Sequence, residues 1–73
     1  MSSIDKLQEK LTHAKGEVAL KDVERLLNHY GFYQTRIVGS HFHFEKDNTP
    51  AFIFPVHNAK VMCWYVRLII KKL

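Results

Sequence analysis

The sequence predicts an α+β fold whose elements run helix, helix, three antiparallel strands, helix. Three observations predict it. Apolar residues recur at helical spacing up to Tyr30 and again from Met62 onward. From Tyr33 the period changes to two, and aromatic and β-branched residues dominate. Two turn signals, Gly39-Ser40 and Asp47-Asn48-Thr49-Pro50, divide that middle region into three strands.

Ile4, Leu7, Leu11 and Ala14 form the apolar stripe of a first helix, with Ser2 or Ser3 as its cap, Asp5 near its positive end and a stop near Gly16. The stripe is narrow and the rest of the helix is charged, so it should lie against the remainder of the domain. Val18 to Leu20 leads into a second helix, with Asp22 and Glu24 in its first turn and Val23, Leu26, Leu27 and Tyr30 facing the core. Gly31 ends it, Phe32 folds back onto it, and His29 is expected on the exposed side. Tyr33 to Val38 and His41 to Lys46 read as a hairpin closed by Gly39-Ser40. A third strand is expected over Ala51 to Val56, with Pro55 at an edge or at the strand's end because it has no N–H to donate. His57 to Lys60 then reads as a loop. The closing helix, about Met62 to Lys72, has Met62, Val66, Ile69 and Leu73 in one row, joined by Ile70. Its lysines fall in the last turn, where they complement the negative helix end.

Seventy-three residues make one domain. A chain this short buries only about 60% of the surface its unfolded form exposes, so the core is thin and any site must be open. Hydrophobic residues make up 47% of the chain, which separates it from disordered polar tails. The net charge of +4 favours a polyanionic partner. Cys63 stands alone, so no internal disulfide is available and no multi-cysteine zinc site is spaced. Met1 to Lys10 lacks the apolar run of a signal peptide, and no segment approaches the ~20 apolar residues of a membrane span. A cytoplasmic location without membrane contact is the expectation.

The stretch Gly39-Ser40-His41-Phe42-His43-Phe44 holds the candidate active site. Alternation sends Phe42 and Phe44 into the core and leaves His41 and His43 on the other face. An imidazole on a rigid strand beside a tight turn, in a chain with surplus positive charge, is placed to move protons on an anionic substrate.

The element order, Gly31-Phe32 ending a helix and Gly39-Ser40-His41 opening a strand together resemble the HicA family, small toxins of bacterial toxin–antitoxin pairs. The likeness runs through Asp22-Val23-Glu24-Arg25-Leu26-Leu27-Asn28-His29-Tyr30-Gly31-Phe32 and Gly39-Ser40-His41 through Phe44. It resumes at Phe54-Pro55-Val56-His57 and continues into Val66-Arg67-Leu68-Ile69-Ile70-Lys71. The resemblance implies a fold like that of double-stranded RNA-binding domains, an α-β-β-β-α core with the three-stranded sheet packed on helices. Residues 18–73 would be that domain and residues 1–17 a helical extension, the two making a single globular unit. It implies endoribonucleolytic cleavage of mRNA without a required metal or other cofactor, with His41 as the catalytic histidine. It also implies a cognate HicB-like antitoxin that masks His41; the free protein is expected to be a monomer. Family members often begin the last helix with a basic residue, proline and glycine, where this chain has Met62, Cys63 and Trp64. His43 stands where the family varies, so no catalytic role passes to it.

In the implied chemistry His41 accepts the proton of an RNA 2′-hydroxyl as that oxygen attacks the neighbouring phosphorus. Arg36, Lys60 and the turn amides of Gly39 and Ser40 are the candidates to meet the developing charge. His57 is a candidate acid for the leaving oxygen. Trp64 and His43 are the candidate partner contacts, since aromatic residues dominate interface hot spots. Three other readings compete. One is a zinc site on His41 and His43, with His57 as a third ligand and Glu45 to complete the sphere. The second is an RNA-binding module that does not cut. The third is a pure interaction protein presenting Trp64, Tyr65 and Phe52.

Overall fold

Helix α1 (Ser3–Thr12) opens the computed structural model, which describes residues 3–73. The expected cap at Ser2 lies outside the described residues, and Ser3 is helical, its Oγ accepting a hydrogen bond from the Arg25 guanidinium at 3.1 Å. Leu7 and Leu11 are buried as their spacing predicts. The helix ends at Thr12 rather than near Gly16, because the carbonyls beyond it are taken by the other end of the chain. Ala14 O accepts from Arg67 Nη1 at 2.9 Å, and Gly16 O accepts from the Cys63 amide at 2.8 Å.

Val18 leads into the second helix as expected, but as part of a strand. It is the centre of a three-residue strand, β1 (Glu17–Ala19), and α2 (Leu20–His29) starts directly after it. Phe32 N donates to Leu27 O and Gly31 N to Asn28 O, the paired bonds of a Schellman motif, with Gly31 at φ 90° where a side chain would be strained. Strands β2 (Tyr33–Val38) and β3 (His41–Lys46) form the hairpin at its expected limits. Gly39 has φ 61° and Ser40 does not share the positive sign, which matches a type II′ turn. Strand β4 (Thr49–Pro55) begins two residues earlier than predicted and stops before Val56. Asp47 and Asn48 complete the reversal, Asn48 in the left-handed region at φ 59°, which frees Thr49 and Pro50 for the strand.

The segment read as a loop is a second hairpin. His57 and Lys60 exchange both backbone hydrogen bonds, at 3.1 and 2.9 Å, around Asn58 and Ala59, both at positive φ. That is the signature of a type I′ turn. Lys60 and Met62 therefore belong to strand β5 (Lys60–Met62), which pairs antiparallel with β1, Val61 opposite Val18. Helix α3 (Cys63–Lys72) begins after Met62, so Met62 leaves the predicted helical row and stays exposed. Neither α2 nor α3 has a side-chain cap: Ala19 and Met62 stand at their starts, and ladder pairing fixes their extended backbones instead.

The larger sheet has the order β2-β3-β4, antiparallel throughout, with β3 central. Phe44 and Phe54 stack on its inner face at 5.5 Å between ring centroids. They join one cluster with Val23, Leu26 and Leu27 of α2, Val66 and Ile69 of α3, and Leu7 and Leu11 of α1. Phe42 is only partly buried against that cluster. The helices cover one face of this sheet and leave the other open. Among the described residues no helix is long and apolar enough to cross a membrane.

Ala59 at φ 59° is the strained position of the second hairpin, because a Cβ there crowds the following carbonyl. Ala59→Gly should raise stability by about 0.5–1 kcal/mol, the strain relieved less the entropy that glycine adds to the unfolded chain. Thermal unfolding checks this. A melting midpoint higher by about 4 °C is expected, and an unchanged or lower one would contradict the assignment of strain.

Candidate active site on the open sheet face

Strand β3 is regular along its length, so His41, His43 and Glu45 project from one face while Phe42 and Phe44 project from the other. His41 is exposed and His43 half-buried. Both flanking strands carry a bulge: on β2 the pairing skips Thr35, between Gln34 opposite Phe44 and Arg36 opposite His43. On β4 it slips between Phe52 opposite Phe44 and Thr49 opposite Lys46.

The register then fixes the site's neighbours. Val38 and Pro55 stand opposite His41 on its two sides, and Arg36 and Ile53 stand opposite His43. Arg36 is thereby diagonal to His41, roughly 7–8 Å away by backbone position and within reach of a long side chain. Ser40 O accepts the Val56 amide at 2.8 Å, tying the Gly39-Ser40 turn to the end of β4. His41, that turn and Val56-His57 therefore gather at one end of the sheet.

The predicted site residues divide accordingly. His41, His43 and Arg36 share the open face, and Gly39 and Ser40 adjoin His41 in the turn. Lys60 is in the smaller sheet, paired with Ala19, and reaches this end only through the hairpin that follows His57. Trp64 is on α3, 47% exposed and stacked on Tyr65 at 3.8 Å, with exposed Leu68 one helical turn on. Trp64 and His43 thus belong to different surfaces. Among the described residues no group of three or more His, Cys, Asp and Glu side chains is placed to hold a metal ion, so the alternative zinc set of His41, His43, His57 and Glu45 does not assemble.

Sequence reading missed three residues that this face presents. Tyr33 and Val38 of β2 and Ile53 of β4 are large, apolar and more than half exposed. Alternation along β4 could have placed Ile53 opposite Phe52 and Phe54, but Tyr33 and Val38 share a face only because of the bulge between them.

A family model described as the HicA toxin of bacterial toxin–antitoxin matches residues 20–73. The match starts at the first residue of α2 and takes in the whole three-stranded sheet, β5 and α3. Comparisons with curated proteins and with solved structures returned no match.

Proposed function

The chain belongs to the HicA family of bacterial toxins, whose members pair with an antitoxin, and on that footing we propose that it is an endoribonuclease that cleaves mRNA with His41 as its acid–base group. The observation that supports this reading is the place of His41: exposed, at the first position of the central strand, on the face the helices leave open. In the proposed reaction the neutral imidazole takes the proton of the 2′-hydroxyl. The 2′-oxygen forms a bond to phosphorus, and the bond to the 5′-oxygen breaks. That oxygen leaves with a proton taken from water, the imidazolium returns its own proton to solvent, and the products are a 2′,3′-cyclic phosphate and a 5′-hydroxyl. Arg36, diagonal to His41, and the amides of Gly39 and Ser40 stabilise the extra negative charge of the phosphorane, and Lys60 raises the positive potential at that end of the sheet. The chemistry needs no metal.

Residues 18–73 are proposed as the toxin domain and residues 1–17 as an extension, whose helix α1 packs on α2 and α3. The antitoxin is proposed to be HicB-like and to cover the open face at His43, with the exposed Trp64 as a second contact. The protein is proposed to act in the cytoplasm, on the mRNA of its own cell.

Cleavage of a synthetic mRNA in the presence of EDTA tests the reading. Fragments ending in a cyclic phosphate and a 5′-hydroxyl are expected, and a 2′-deoxy substitution at the cut position should block that cut. Loss of cleavage on chelation, or products with a 5′-phosphate, would overturn the mechanism. RNA that is bound and never cut would identify a binding module instead.

A further inference from the structure

The open face continues away from His41 to an end with different chemistry. Tyr33 is 59% exposed there and stands directly opposite Glu45, so the two side chains rise side by side from the sheet. The Thr35 hydroxyl donates a hydrogen bond to the Glu45 carboxylate and holds it in place. Lys46 projects from the other face of β3 and borders this end from the side, its stem packed on Gly31 and its ammonium over the Phe32 ring, 5.6 Å from the centroid. Gly31, Tyr33, Thr35, Glu45, Lys46 and Asp47 line a shallow cavity of about 400 Å³.

Resting on the ribonuclease reading above, we propose that Tyr33, Thr35 and Glu45 form a base-binding subsite, which takes the nucleobase of a single-stranded RNA at a nucleotide removed from the cleaved linkage. Charge orients the strand. The phosphates are drawn to the Arg36 guanidinium, and at the far end of the face the Glu45 and Asp47 carboxylates outnumber the Lys46 ammonium and repel them. A base is the part of the nucleotide that fits that end. Its π-face lies on the Tyr33 ring, and its N–H edge donates to the carboxylate, which favours a base with an exocyclic amino group. His41 and Glu45 are four residues apart on β3, about 13 Å at the rise of an extended strand, which separates the subsite from the scissile phosphate. A base can lie flat on a side chain only when it is unstacked, so a duplex cannot use this subsite.

An exposed tyrosine on an edge strand could serve strand propensity alone, and Tyr33→Val separates the two roles because valine is as good a strand former. A randomised single-stranded RNA pool would be cut to a limited extent by the wild type, Tyr33→Val, Tyr33→Phe and Glu45→Gln, and the new ends sequenced. The wild type should show a base preference at a fixed position away from the cut, and Tyr33→Phe should keep it. Tyr33→Val should lose it, with kcat/KM lower by about 5- to 150-fold. Glu45→Gln should change which base is preferred, since an amide donates as well as accepts. A Tyr33→Val protein that cuts with the wild-type rate and pattern overturns the subsite and leaves the nuclease reading standing. A wild type that cuts no RNA overturns both.

Discussion

Replacing His41 with alanine is expected to slow RNA cleavage by about 10²- to 10⁴-fold, the usual contribution of one positioned acid–base group. The fold should not notice. His41 is exposed and its neighbours Val38 and Pro55 are held by ladder pairing, so the change should fall within about 0.5 kcal/mol in stability. The pair of measurements is single-turnover cleavage and thermal unfolding on the same samples. Retained RNA binding with lost cleavage assigns His41 to the chemical step. Cleavage at the wild-type rate would remove His41 from the mechanism and direct attention to His43, the other imidazole on the face. Expression in cells gives a second readout: growth arrest by the wild type and none by His41→Ala.

Phe44→Ala should have the largest effect on stability. Phe44 is fully buried on the inner face of the same strand and stacks on Phe54. Removing such a ring costs about 3–5 kcal/mol, transfer and cavity together. A domain of this length holds only about 4–11 kcal/mol in total, so a substantial unfolded fraction at 37 °C is expected. Ile53→Ala makes the control. It removes a large apolar side chain from the opposite face of the neighbouring strand, where more than half of it is already in water, and should cost much less. Urea denaturation gives both values. Equal costs for the two would mean that the helices do not cover the face assigned to them.

Local signals explain what could be read without the structure. The Tyr33–Val38 and His41–Lys46 strands and the turn between them rest on period-two alternation and on a glycine with a required backbone sign, both properties of adjacent residues. The end of α2 is equally local, since Gly31 and Phe32 close it against Leu27 and Asn28. The β1–β5 ladder was invisible for the opposite reason. Each strand has three residues, each becomes extended only by pairing with the other, and most of the domain lies between them. With it went the place of Lys60, whereas the starts of α2 and α3 were legible to within about a residue or two although no capping side chain announces them.

The candidate site divides along the same line. That His41 and His43 share a face opposite Phe44 follows from the sequence, because β3 keeps strict alternation. Which residues of β2 join them does not. Unbroken alternation from Tyr33 would put Thr35 and Ile37 on its face and send Arg36 and Val38 to the other. The bulge at Thr35 adds one residue to β2 against β3, so Tyr33, Arg36 and Val38 all reach the open face beside the histidines and Glu45. The amino-acid sequence by itself determined the strand that carries His41 and His43, its turn and the core behind it. The tertiary pairing decided what surrounds His41, because one extra residue in a neighbouring strand reverses the direction of every side chain beyond it.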